Sequence, residues 1–247
     1  MSVVAVALAL AAALAGVRGP PPGASWQWQL QGRLDARVPA RVYDVDGFDA
    51  TAAAVARLQR RGRFVVCYLS VGAWERWRPD RDRFPAALRG RPNGWPGERW
   101  LDIRRLRALA GPLRARIAMC ARKGFDAVEP DNVDGWANAT GFPLTAADQL
   151  RFNRWVARTA HAHGLAVALK NDLAQARALA PAFDFAIVEQ CFEHRTCRLT
   201  RPFRRAGKAV LDAEYALPRA RFCPAARRLG ISAIRKRPAL GAWRAAC

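Results

Sequence analysis

The sequence predicts an α/β fold, an irregular (β/α)8 TIM barrel in a single domain, on three observations. Apolar runs of strand length recur eight times, helical patterns stand between several of them, and acidic residues collect at the ends of the strand runs. The chain has 247 residues, about half of them apolar, enough to bury one core of that size.

The strand runs begin, in order, at Trp26 (WQWQLQG), Ala40 (ARVYDVDG), Phe64 (FVVCYLSVG), Asp126 (DAVEPDNVDG), Leu165 (LAVALKN), Phe185 (FAIVEQC), Ala209 (AVLDAEY) and Ile231 (ISAIRK). Too few residues separate the first two for a full helix, which makes the barrel irregular. ATAAAVARLQRRG follows the second run and IRRLRALAGPLRARIAMCARKG precedes the fourth. TAADQLRFNRWVARTAHAHG precedes the fifth, with Thr145 as its N-cap and Gly164 just past its end. Residues 71–101, rich in Trp, Pro and Arg, are expected to form a loop over the barrel mouth. The chain ends within twelve residues of the eighth run, so the last helix is expected to be short or absent.

Chemistry in a parallel barrel lies at the C-terminal strand ends, and residues i and i+2 share a face. Asp44 and Asp46 form such a pair in the second run, Glu129 and Asp131 in the fourth, and Asp212 and Glu214 in the seventh. Glu189 ends the sixth run, and Lys170 with Asn171 ends the fifth. An acidic ring at the mouth is the expectation; a structural ion-pair network is the competing reading. Crowded carboxylates titrate apart, which separates a general acid from an anionic partner, and two carboxyls across a sugar suffice for glycoside hydrolysis. Trp26, Trp28, Tyr43, Tyr68, Trp74, Trp77, Trp95 and Trp136 could stack on sugar rings.

The formal charge is +21, yet only Lys123, Lys170, Lys208 and Lys236 of the 41 basic residues are lysines, and the arginines are scattered. That pattern fits a compositional bias to Arg, and no nucleic-acid partner is expected. The apolar run over residues 2–15 and the GVRGPPPGAS that follows read as a signal peptide and short linker over residues 1–24, ahead of a domain over residues 25–247. The mature protein is therefore expected to be secreted or extracytoplasmic, monomeric and without a transmembrane span. Six cysteines in an exported chain suggest disulfides: Cys191 and Cys197 are expected to pair, and Cys67 could be a buried free thiol. With three histidines and no CxxC, neither a metal site nor a cofactor is expected.

The pieces WQWQLQG, VYDVDGFD, VVCYLSVGAWERWRPD, GERWLDIR, GFDAVEPDNVDGW, LKND, VEQCFE and DAEYA stand in order from residue 26 to about 216. In these the sequence resembles glycoside hydrolase family 114, the endo-α-1,4-polygalactosaminidase family. The resemblance implies a (β/α)8 barrel and metal-free, extracellular hydrolysis of α-1,4-linked galactosamine polymers. It places the catalytic carboxylates on Asp131 of DN and Glu189 of VEQ. Substrate contacts fall on Asp46, Lys170, Asn171, Glu214 and Tyr215, and Asn132, Asp134 and Gln190 beside the motif acids, with Trp28, Tyr43 and Tyr68, join them. Asp131, near Lys170, is expected to be the nucleophile of a retaining reaction; Glu189, after the apolar FAIV, the general acid/base; and Asp46 and Glu214 the ligands of the sugar's amino group. Pro130 departs from the family pattern and removes a ladder donor within the strand. The alternative is a barrel that binds amino-sugar polymer or cell envelope without cutting.

Overall fold

The computed structural model describes residues 18–247, so the expected signal peptide lies, as far as residue 17, outside the described residues. Residues 18–24, placed ahead of the domain in the sequence reading, pack against the barrel: Ala24 is buried, and a Cβ on Gly19 would stand 2.9 Å from the Asp184 carbonyl oxygen.

All eight strand runs form strands. In chain order these are β1 (Trp26–Gln29), β2 (Val42–Asp46), β3 (Phe64–Ser70), then, after three short strands of the excursion, β7 (Ala127–Asp131), β8 (Ala166–Lys170), β9 (Phe185–Glu189), β10 (Val210–Glu214) and β11 (Ser232–Arg235). They pair in sequence order, each parallel to its neighbour. The excursion is a small antiparallel sheet: β4 (Ala73–Glu75) and β5 (Arg89–Pro92) flank β6 (Glu98–Leu101).

No helix separates β1 from β2. Helix α1 (Ala52–Gln59) starts on the Thr51 cap, α2 is Leu106–Arg122, and α3 (Ala146–Ala162) starts on a reciprocal capping box between Thr145 and Asp148. Short helices α4 (Ala176–Leu179) and α5 (Arg201–Arg205) and the longer α6 (Arg219–Leu229) complete the outer layer. In place of a last helix, β12 (Ala245–Ala246) runs antiparallel to β11. This C-terminal segment bridges the two ends of the sheet: the Arg244 guanidinium donates to the carbonyls of Trp26 and Pro39, and the Trp26 indole donates to Ser232 O at 2.8 Å. No helix among the described residues is long and apolar enough to cross a membrane.

Two apolar layers follow from the strand alternation. Trp26, Trp28, Val66, Ala168, Ile187 and Leu211 fill the interior, while Val45, Leu69, Val128, Leu169 and Val188 pack outward with residues of the helices. Trp26 and Trp28 stack at 5.9 Å with almost no exposure, each worth roughly 3 kcal/mol of apolar burial.

Three disulfides form, Cys67–Cys120, Cys191–Cys197 and Cys223–Cys247. The Cys67 sulfur is therefore no free thiol. It ties β3 to α2 across 53 residues, the longest loop of the three and so the largest restriction of the unfolded chain.

Candidate active site

The C-terminal ends of β7, β8 and β9 bring Asp131, Lys170 and Glu189 together. Lys170, 2% exposed, sets its ammonium 3.0 Å from Glu129, 3.2 Å from Asp131 and 3.3 Å from Glu189. Burial alone would discharge it. The three carboxylates more than offset that penalty and hold its pKa well above the ordinary lysine value, and the Trp28 ring face, 4.5 Å away, adds to the stabilisation of the cation.

Each of these strands is followed at once by a non-glycine residue with positive φ: Asn132 at 61° after β7, Asn171 at 50° and then Asp172 at 39° after β8, and Gln190 at 55° after β9. This costs roughly 1 kcal/mol or more apiece, and it turns the chain sharply just after the functional side chain. The β7–β8 ladder stops at Val128–Val167, ahead of Pro130, which has no N–H to offer.

Asp131 accepts from the Tyr68 hydroxyl at 2.9 Å as well as from Lys170. Glu189 accepts from the Tyr215 hydroxyl and, at 3.2 Å, from the Asn171 amide, whose oxygen in turn takes the Glu189 N–H at 3.0 Å. Burial pushes both tyrosines well above the usual phenol value and the neighbouring carboxylates push them further, so their hydroxyls remain donors. The apolar surroundings expected for Glu189 are thus replaced by three donors. Beneath the pair, Glu129 is buried and accepts from the Trp28 indole at 3.1 Å. Burial first, and then the Glu129 charge, raises the Asp44 carboxyl far above its ordinary range, which favours its neutral form. Neither Asp44 oxygen has a hydrogen-bond partner among the described residues.

A cleft of about 610 Å³ opens above these groups. Trp28, Asp46, Tyr68, Asn132, Lys170 and Tyr215 line it with Asp131 and Glu189, and the excursion adds Glu75, Trp77, Arg78, Asn93, Trp95 and Glu98.

Other expected contacts lie elsewhere. Glu214 and Asp212 point out of the barrel, because Leu211, Ala213 and Tyr215 take the inward positions of β10. Glu214 accepts the Phe192 N–H at 2.8 Å and Asp212 the Cys191 N–H at 3.3 Å. Both anchor the disulfide-closed loop after Glu189, so Glu214 is not placed to hold a sugar amine. Asp46 reaches the cleft but is committed to a bidentate pair with Arg78 at 2.6 and 2.9 Å, which continues through Glu75 to Arg116 and Asp80. The ion-pair network expected as the competing reading thus exists beside the site. Tyr43 faces outward, its hydroxyl on the Val38 carbonyl at 2.5 Å. Gln190 bonds to Glu193, Asn171 positions Glu189, and Asp134, half-buried behind Asp131, is raised to about 6 by burial and by the Asp131 charge. Among the described residues no group of three or more His, Cys, Asp or Glu side chains is arranged to hold a metal ion.

Arg78, Asn93 and Glu98 escaped the sequence reading because they sit in the excursion, where no strand period fixes a face. Asp172 escaped it too, although it follows Lys170–Asn171: it accepts from the Trp136 indole at 3.0 Å and the Asn153 amide at 2.9 Å.

Two substitutions test this framework. Burial raises the Asp172 carboxyl to about 7 from an ordinary value of 3.8. A raised folded-state value means that its contribution to stability is fully present below about pH 4 and is lost as pH rises through about 7. Thermal melts should show Asp172→Asn gaining on the parent protein between about pH 4 and about pH 7; a constant difference would contradict the assignment. Gly72 lies so close to β7 that a Cβ would stand 1.7 Å from the Asn132 carbonyl oxygen, and its N–H with that of Val71 donates to Asp131 O. Gly72→Ala should cost about 3 kcal/mol or more, a melting shift of about 10 °C, and a shift of less than about 2 °C would contradict this packing.

The sequence matches glycoside hydrolase family GH114 over residues 7–247. No curated protein matches it. Among solved structures, Aspergillus fumigatus Ega3 in complex with galactosamine is 33% identical, with 94% of this chain and 98% of that one aligned at a TM-score of 0.88. The glycoside hydrolase domain of Pseudomonas aeruginosa PelA shares the fold at 16% identity, with 90% and 96% covered and a TM-score of 0.68. With the match spanning nearly the whole chain and a barrel mouth that carries paired carboxylates, the protein belongs to glycoside hydrolase family GH114.

Proposed function

We propose that the protein is an exported endo-acting hydrolase of α-1,4-linked galactosamine polymers that works with retention, with Asp131 as nucleophile and Glu189 as general acid/base. The observation that carries this reading is the shared ammonium: legs of 3.2 and 3.3 Å meeting on Lys170 keep the facing oxygens of the two carboxylates within 6.5 Å of each other. Retaining enzymes set their carboxyls about 5–5.5 Å apart, whereas inverting enzymes need about 6.5–9.5 Å for an intervening water.

In the first step an Asp131 oxygen bonds to the anomeric carbon as the glycosidic C–O bond breaks, and Glu189 gives its proton to the departing oxygen. In the second, Glu189 takes a proton from water, whose oxygen displaces Asp131 and restores the starting state. Asp131 is the more enclosed of the two, its side chain 18% exposed against 26% for Glu189, and the Tyr68 and Lys170 donors fix it. Glu189 is the side chain that exchanges protons with water.

A galactosamine substrate is supported by the similarity to Ega3, whose structure holds that sugar, and by an acid-rich cleft facing a cationic polymer. Export is supported by three disulfides, which persist in oxidising compartments. The test is azide rescue with an activated α-galactosaminide. Asp131→Ala should yield the inverted β-azide and Glu189→Ala the retained α-azide; the opposite pattern would exchange the two roles.

A further inference from the structure

The wall of the cleft opposite β9 carries features that hydrolysis at Asp131 and Glu189 does not use. Among the described residues only four large apolar side chains are substantially exposed, and two of them, Trp77 at 47% and Trp95 at 46%, face this one cleft. The Trp77 ring is packed, and the Trp95 backbone is held in a turn. Trp77 lies against the α-carbon of Gly97, where a Cβ would meet ring atoms at 3.0 and 3.3 Å, and Gly97, at φ 88°, accepts the Arg76 N–H through its carbonyl at 3.0 Å. The turn that presents Trp95 is organised by Asn93, whose side-chain oxygen takes the Trp95 N–H at 3.0 Å and whose amide donates to Glu98 Oε2 at 2.5 Å. Glu98 itself is 7% exposed, and among the described residues its Oε1 accepts no hydrogen bond.

We propose that Trp77 and the turn from Asn93 to Glu98 form a separate sugar subsite, which stacks one unacetylated hexosamine unit on the indoles and pairs its ammonium with Glu98. This deepens the galactosamine reading and rests on it. An aromatic face binds the apolar face of a sugar whatever its substituents, so the indoles supply affinity without choosing between amine and acetamide. Glu98 supplies the choice. Burial first, with Glu75 and Asp131 nearby, raises its carboxyl to about 7, against the opposing influence of Asn93 and Arg78. Arg78 cannot serve as its counter-ion, being committed to Asp46 and Glu75. A sugar ammonium would furnish the missing cation and stabilise the carboxylate, whereas an acetamido group brings no charge and leaves the buried anion unpaired. The subsite therefore favours the stretches of a polymer from which acetyl groups have been removed.

The experiment measures binding of galactosamine oligosaccharides of about four units, either fully free-amine or fully N-acetylated, by tryptophan fluorescence in an uncleaving Glu189→Gln background. Adding Glu98→Gln should weaken binding of the free-amine oligomer about tenfold and shift that of the acetylated one less than about twofold, with an unchanged melting temperature. Adding Trp95→Ala should weaken both about equally. The subsite is refuted if Glu98→Gln leaves free-amine binding unchanged or reduces both forms alike. Should the parent protein cut the polymer while Glu98→Gln discriminates as before, the subsite alone falls; should the parent neither bind nor cut either polymer, the galactosamine reading falls with it.

Discussion

Asp131→Asn and Glu189→Gln are each expected to lower turnover about a thousandfold or more while the protein stays folded. Each exchange keeps the shape of the side chain and removes the charge or the transferable proton that the proposed two-step reaction needs. The fold tolerates the loss because both side chains are partly open to the cleft and neither packs in the apolar interior. Combining the two should cost little more than either alone, since the carboxylates act as a unit. Initial rates on galactosamine polymer check this, and near-native activity in either variant would remove the pair from the mechanism.

Lys170→Met is expected to damage both stability and activity. Among the described residues the ammonium is the one cation in contact with Glu129, which is fully buried, and with both Asp131 and Glu189. Without it a buried carboxylate is stranded, a loss of about 3–5 kcal/mol for broken buried pairs. Sign follows from linkage. Burial already raises the Glu129 carboxyl against the opposing Lys170 charge, and in the variant Glu129 would be driven further to bind a proton in the folded state, so the deficit against the parent should shrink as pH falls and widen as pH rises. Lys170→Arg should not restore activity, because a planar fork cannot centre on three oxygens from three strands. Urea titrations at several pH values, with turnover measured beside them, would contradict this role if Lys170→Met unfolded at the parental midpoint.

How far the sequence revealed this site depended on which side of a strand could be told apart. Strand runs and helix caps were legible because apolar periodicity and the Thr145 capping box are local signals. The facing of each strand was not. Helices cover the outside of a parallel barrel, so both faces are buried and both read as apolar. In AVLDAEY the pair Asp212 and Glu214 was read as facing the mouth, whereas the structure turns Leu211, Ala213 and Tyr215, which alternate with them, inward. The same ambiguity misplaced Tyr43. Lys170 was legible as a strand-end residue, but its contact with three carboxylates depends on the ladder that stops before Pro130 and on the left-handed turns at Asn132, Asn171 and Gln190. Asp46 lies at the mouth, and its partner Arg78 comes from a loop that no period constrains.

The most direct test of the two-carboxylate account is the configuration of the first sugar released, followed by proton NMR as galactosamine polymer is cut and before mutarotation equalises the anomers. With their facing oxygens held within 6.5 Å on one ammonium, the proposed retaining reaction predicts that the new reducing end appears first as the α anomer, the configuration of the bond broken. A β anomer appearing first would mean direct attack by water and would contradict Asp131 as a nucleophile.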